Sequence, residues 1–128
     1  MPLDTLTPKS ILVVDDDPSV ADALRLLLKI DGHEVEIAGD GETALAKHKV
    51  GNHDLVIADF LMPGMDGLEL ARLIKARIPQ QPIVMVTAHL ETVSNSEKAR
   101  LHHVDALLEK PYSAKQLREA LRAVFPHS

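Results

Sequence analysis

The chain predicts an α/β protein built on a parallel sheet with helices on both faces, and three observations carry that prediction. Short aliphatic runs of strand length alternate with segments whose apolar residues recur at helical spacing, five times over. Gly and Pro mark the changes of period, at Pro18, Gly32, Gly51, Pro79 and Pro82. The runs end on polar residues, Asp15, Asp59, Thr87 and Glu109-Lys110, and in an open α/β sheet the rim beyond the strands' carboxyl ends is where ligands bind. Right-handed crossovers between successive parallel strands then place a helix against the sheet each time.

Residues 1–9 are polar and Pro-containing and read as a flexible leader. Ile11 to Val14 is an unbroken aliphatic run, as in a strand buried on both faces, and it stops at Asp15, Asp16 and Asp17. Asp17 before Pro18 reads as an N-cap with Pro at the first helical position, and Val20, Leu24, Leu27 and Leu28 form a stripe that Gly32 ends. Val35 and Ile37 alternate with Glu34, Glu36 and Ala38, the period of a half-buried strand, before the turn at Gly39-Asp40-Gly41. A second helix spans Thr43 to Val50, with Ala44, Leu45 and Val50 inward. Lys47, His48 and Lys49 are expected to be solvated near its negative end.

Leu55 to Ala58 is the third strand, followed by Asp59 and the loop Phe60 to Gly64. A helix from Asp66 to Arg77 turns Leu68, Leu70, Leu73 and Ile74 inward, and Ile83 to Val86 forms a fourth strand ending at Thr87. Glu91 to His102 carries only a weak helical pattern, because Thr92, Val93, Ser94 and Asn95 are poor helix formers. Ala106 to Leu108 is a short fifth strand, and the last helix runs from Ser113 as N-cap to Val124 with Leu117, Leu121 and Val124 inward.

At 128 residues one domain suffices, over residues 10–126 with 127–128 as a tail. Absence of cysteine excludes disulfides, thiolate metal sites and a cysteine nucleophile. The formal net charge of −5, from 14 Lys and Arg against 19 Asp and Glu, together with 2% aromatic residues, argues against direct nucleic-acid binding. No apolar run approaches the roughly 20 residues needed to span a bilayer, so a soluble cytoplasmic protein with no membrane partner is expected.

The strand ends together present Asp15, Asp16, Asp59, Thr87 and Lys110. Converging carboxylates repel, and at neutral pH they need raised pKa values or a cation. Mg²⁺ suits such a site, since it takes oxygen ligands and leaves a position for a phosphoryl oxygen. Lys110 adds a compact positive charge and Thr87 a hydroxyl donor, a set matched to phosphoryl oxygens.

The strings VVDDDP at 13–18, DLVIADFLMPGMDG at 54–67, IVMVTA at 83–88 and EKPY at 109–112 resemble, in order and spacing, the receiver domain of two-component response regulators over about residues 10–125. The resemblance implies a flavodoxin-like sheet of order 2-1-3-4-5. It implies that Asp59 accepts a phosphoryl group from a sensor histidine kinase or a histidine phosphotransfer protein. Asp16 and Asp59 would bind Mg²⁺ directly, Asp15 through water, and the Leu61 carbonyl would complete the protein ligands. Lys110 would pair with Asp59 and then with the phosphoryl oxygens, Thr87 would hydrogen-bond the phosphate, and Ala88 would offer its amide. Such a domain acts on a downstream protein and catalyses nothing beyond its own phosphorylation and dephosphorylation.

Four features depart from the family pattern. Leu107 stands where an aromatic switch residue is usual, and Tyr112, after Pro111, cannot replace it. His103 and Val104 replace a Gly-Ala pair, and the stretch from Thr87 to Lys110 is one residue longer than is common. Leu61, two residues past the acceptor, and His89, two past Thr87, flank the path of an attacking water and are expected to tune dephosphorylation; the apolar Leu61 predicts that it is slow. The remaining histidines, His33, His48, His53, His102, His103 and His127, lack the spacing of a metal site with acids behind the rings and are expected in surface or packing roles. A Rossmann nucleotide site would need glycines after the first strand, where Asp15 to Ser19 has none. The alternative within the same fold is a receiver-like interaction module that works without phosphorylation.

Overall fold

A computed structural model describes residues 6–50, 52–88 and 101–126. Five parallel strands, β1 (Ser10–Val14), β2 (Glu34–Ala38), β3 (Leu55–Asp59), β4 (Ile83–Thr87) and β5 (Ala106–Glu109), form one sheet in the order β2-β1-β3-β4-β5. The helices are α1 (Pro18–Ile30), α2 (Gly41–Val50), α3 (Gly67–Arg77) and α4 (Ala114–Val124), and Leu101–His103 makes one 3₁₀ turn. Of the weak helical stretch Glu91 to His102, all but its last two residues lie outside the described residues.

Alternation along the strands divides the core in two. Leu12, Val14, Val56, Ala58 and Met85 pack with Ala44 of α2 and Leu68, Leu70, Ala71 and Ile74 of α3. Ile11, Val13, Leu55, Ile57, Val84, Val86 and Leu108 pack with Ala21, Leu24 and Leu28 of α1 and Leu117, Ala120 and Leu121 of α4. The central strands are apolar on both faces because both faces are covered. β2, at the edge, keeps the half-buried alternation its sequence predicts. The inward stripes differ in detail from expectation: Ala21, Ala71 and Ala120 are buried, whereas Val20, Leu27, Leu73 and Val124 are only partly so, because small residues sit where helix and sheet approach most closely.

The helix starts follow the predicted capping chemistry. Asp17 accepts from the amides of Ser19 and Val20, with Pro18 opening α1. Asp66 is the N-cap of α3 rather than its first residue. Ser113 and Gln116 form a reciprocal capping box on α4, and such caps contribute about 1 kcal/mol each. One expectation fails in α2: His48 is not solvated with Lys47 and Lys49 but buried at 3% exposure, hydrogen-bonded to Gln81 at 2.8 Å. Among the described residues no helix is long and apolar enough to cross a membrane.

His33 fastens the start of the β1–β2 pair. Its buried ring accepts the Lys9 amide on Nδ1 at 3.0 Å, and the Glu34 amide donates to the Lys9 carbonyl at 2.9 Å. Burial lowers the His33 pKa from the ordinary 6.5, against a smaller upward pull from Asp31. The sign follows: above pH 6.5 the ring is neutral in both folded and unfolded chains and its hydrogen bond stabilises fully. As pH falls below 6.5 the unfolded chain takes up the proton first, and stability is lost until the folded-state pKa is passed. Chemical denaturation from pH 7.5 to 5 should therefore show falling stability, and His33→Asn, whose carbonyl oxygen can accept the same amide, should flatten part of that slope. A slope unchanged in His33→Asn would remove His33 as its source.

Candidate functional site

The backbone ladder runs past the strand ends and so fixes the rim. Asp15 donates its amide to the Ala38 carbonyl at 3.1 Å, Phe60 to Val86 at 2.8 Å, and Lys110 to Thr87 at 2.8 Å. These bonds bring the residue after β1, the end of β3 and the residue after β5 to one edge. Carboxylate oxygens of Asp15, Asp16 and Asp59 lie within 4.8 Å of one another. Lys110 Nζ stands 3.8 Å from Asp15 Oδ2 and 3.8 Å from Asp59 Oδ2, bridging the two strand ends.

Local structure explains how each acid is held. The Asp17 amide donates to Asp15 Oδ1 at 2.9 Å, so the turn that starts α1 also pins the buried Asp15 carboxylate. Asp16 is exposed, and Asp59 is partly buried behind it. Burial pushes the Asp59 carboxyl above its usual range; Lys110 pulls it back, and Asp15 and Asp16 push it up again. Asp15 behaves likewise, raised by burial first and lowered by its Asp17 bond and Lys110. Among the described residues three carboxylates meet one ammonium here, an excess of negative charge. The donor set is oxygen only, partly open to solvent, and fits a hard divalent cation such as Mg²⁺ better than a thiolate- or imidazole-seeking metal.

The other residues singled out from sequence divide into those at the rim and those beyond it. Thr87 ends β4, buried at 4% exposure, and its carbonyl holds the Lys110 amide, so hydroxyl and ammonium come from neighbouring strands. Ala88 follows, exposed. Leu61 projects from the loop after Asp59 at 68% exposure. Leu107 is on the outer surface of β5 at 38% exposure and borders a groove with Gln116, Glu119 and Ala123 of α4. His89 lies outside the described residues.

Two contributors escaped the sequence reading. Tyr112 packs against the core, and its hydroxyl pKa is raised by burial first and then by the charges of Asp15 and Asp59. Its position two residues after Lys110 was the available signal. Gly67 is the other. A Cβ there would sit 2.2 Å from the Asp59 carbonyl oxygen and 2.7 Å from Met85 Sδ, while the Gly67 amide donates to the Phe60 carbonyl at 3.0 Å. The start of α3 is thus pressed onto the backbone of the acid itself.

A doubly wound parallel sheet with an acidic pocket at its carboxyl edge is the arrangement of the flavodoxin-like receiver fold. The sequence matches the response regulator receiver domain over residues 11–122, and the chain belongs to that family of signalling domains. It is 37% identical over 115 residues to the sensory transduction protein RegX3 of Mycolicibacterium smegmatis, covering 90% of this chain and 50% of that protein. It is 37% identical over 121 residues to the DNA-binding response regulator MtrA of the same species, covering 94% and 52%. The chain therefore spans about half the length of these curated relatives. Among solved structures it resembles the Thermotoga maritima response regulator TrrA in complex with Mg²⁺-BeF (TM-score 0.83, 35% identity, 91% of this chain and 98% of that one). It also resembles the chemotaxis protein CheY4 of Vibrio cholerae (TM-score 0.83, 32% identity, 92% and 99%).

Gly67→Ala should destabilise the fold by about 3 kcal/mol, because the obstacle is backbone, and a helix-propensity gain of at most about 1 kcal/mol cannot offset it. Urea unfolding measures this. A variant as stable as the parent would mean that α3 shifts freely and that Gly67 does not set the position of Asp59.

Proposed function

We propose that this domain accepts a phosphoryl group on Asp59 from a phosphohistidine of a sensor histidine kinase or histidine phosphotransfer protein. The observation that carries this is the meeting of three carboxylates and one lysine at the strand ends, with Lys110 Nζ 3.8 Å from both Asp15 and Asp59. An Asp59 oxygen attacks phosphorus in line, the P–N bond to the donor imidazole breaks, and an acyl phosphate forms on the side chain. Burial favours a protonated Asp59, so the opposing charge of Lys110 matters for keeping the nucleophile ionised. A Mg²⁺ ion, when bound, supplies positive charge to the transferring phosphoryl oxygens. Asp16 and Asp59 would hold it directly, Asp15 through water and Leu61 through its carbonyl.

After transfer Lys110 can turn its ammonium to the new phosphoryl oxygens, Thr87 can donate its hydroxyl and Ala88 its amide. The domain catalyses only its own phosphorylation and dephosphorylation, works in the cytoplasm, and signals to a downstream protein through the face that carries Leu107. Residues 10–126 form the receiver, with 1–9 as leader and 127–128 as tail. Leu61 cannot hydrogen-bond a water beside the acyl phosphate, so the phosphorylated state is long-lived, with His89 too weak a substitute on the other side.

Asp59→Asn should abolish labelling by acetyl phosphate in Mg²⁺ while leaving the circular dichroism spectrum unchanged, since the amide fills the same volume but cannot form the acyl phosphate. Label at the parent level in that variant would assign the acceptor elsewhere.

Lifetime is read from phosphate loss over time. Leu61→Asn should accelerate it by roughly tenfold, less than the roughly hundredfold or more of a positioned acid or base because an amide only orients the water, and His89→Ala should change it little. A parent that already loses phosphate quickly, and is slowed strongly by His89→Ala, would overturn the role given to Leu61.

A further inference from the structure

The amino-terminal edge of the sheet, opposite the acidic pocket, holds a second cluster that phosphoryl transfer does not use. His48, in the last turn of α2, and His53, just before β3, stand with ring centroids 6.1 Å apart and planes within 15° of parallel. Both side chains are 3% exposed. Each ring is oriented from behind. His48 Nε2 meets Gln81 Oε1 at 2.8 Å, and His53 Nε2 meets Glu36 Oε1 at 2.8 Å. Gln81 Nε2 reaches the Pro82 carbonyl at 3.5 Å, which sets the amide with its oxygen toward His48. The Glu36 carboxylate and the Gln81 amide oxygen only accept, so each ring donates from Nε2, and a neutral ring then keeps its lone pair on Nδ1.

Those two Nδ1 atoms are buried and have no hydrogen-bond partner among the described residues. A buried acceptor without a partner is costly, on the order of 1–3 kcal/mol, so two in one place ask for a ligand. An acceptor behind each ring is the arrangement that orients metal-binding histidines and fixes their tautomer. Two imidazoles sharing one tetrahedral ion at about 2.0–2.1 Å set their centroids roughly 5 Å apart, so from the observed 6.1 Å the rings close by about 1 Å when an ion binds. The rings border a cavity of about 310 Å³ with Asn52, Asp54, Gln80 and Gln81. Asp54 uses Oδ2 for the Ser10 amide, at 2.8 Å, which leaves Oδ1 for the waters of a bound cation. The carboxyl end of α2 adds its partial negative charge. Opposing charges are at hand too: Lys47 Nζ is 4.0 Å from Glu36, and Arg77 acts on His48 from α3.

We propose that Nδ1 of His48 and Nδ1 of His53 form a binding site for a borderline transition-metal ion such as Zn²⁺, separate from the oxygen-only pocket at the other edge. Imidazole nitrogen selects Zn²⁺, Cu²⁺ or Ni²⁺ over Mg²⁺, so the two edges take different ions. Burial holds His48 below its ordinary pKa, which keeps Nδ1 free of a proton at neutral pH.

The test is titration of the full chain with ZnCl₂ in excess Mg²⁺, followed by calorimetry and by ¹⁵N spectra of the histidine rings. One equivalent should bind, shifting the Nδ1 resonances of His48 and His53. His48→Gln and His53→Gln should each weaken binding by about tenfold or more, and Glu36→Gln by about tenfold through loss of ring orientation. Asp16→Asn should leave zinc affinity unchanged. Affinity unchanged in both histidine variants would mark adventitious binding at other histidines, loss in Asp16→Asn would place zinc in the acidic pocket, and no binding would end the proposal. Should a Gln variant fail to fold, the parent's ring spectra decide, and unshifted Nδ1 resonances overturn the site.

Discussion

The structure depends on one electrostatic constraint: like charges delivered to the same edge of a sheet that cannot move them apart. Asp15 follows β1 and Asp59 ends β3, and the two strands are hydrogen-bonded neighbours in register, with Val14 opposite Ala58. Neither acid can retreat without breaking the ladder. Burial raises both carboxyl pKa values, and the nearest compensation is the Lys110 ammonium, 3.8 Å from each. A pocket arranged so is under-neutralised by design of the backbone, and it is stabilised by whatever positive charge enters. The same tension makes the site responsive, because adding a dianionic phosphoryl group changes the balance that Lys110 holds.

Backbone devices keep that tension from relaxing. The amide of Asp17 fixes one oxygen of Asp15 while the Asp17 side chain caps α1, so a single turn serves both the helix and the acid. Gly67 lets α3 begin in contact with the Asp59 carbonyl, and a side chain there would push the acceptor strand or the helix away. On the far strand the Lys110 amide is tied to the Thr87 carbonyl, which couples the position of the ammonium to the end of β4. Three helix or strand termini thus share the work of holding Asp15, Asp59 and Lys110.

Most of this was legible in the sequence because each site residue directly follows an aliphatic run. A run such as Leu55 to Ala58 sets the strand, and parallel topology brings the next residue to the carboxyl rim whatever the details of packing. What was not legible depended on contacts distant in sequence. His48 looked solvated because it follows Lys47 in a helix with few apolar residues, yet Gln81, 33 residues away, accepts its ring and closes over it. The crowding at Gly67 is likewise three-dimensional: its neighbours are the backbone of β3 and a methionine of β4. Alanines, too small to register as stripes, took inward positions in α1, α3 and α4.

The two edges of the sheet differ in donor chemistry, and that difference limits how they can interact. The carboxyl edge offers only oxygens and is partly open to water, so a hard ion can keep most of its hydration there. The amino edge presents imidazole nitrogens in a buried setting, where an ion must give up water and only a strong nitrogen binder recovers the cost. β3 connects them, running from just after His53 to Asp59 with four of its five residues buried. A strand enclosed on both faces transmits displacement along its length better than it absorbs it, because close-packed neighbours leave no room to buckle. The two edges therefore favour different ions because their donors differ, although one strand carries both.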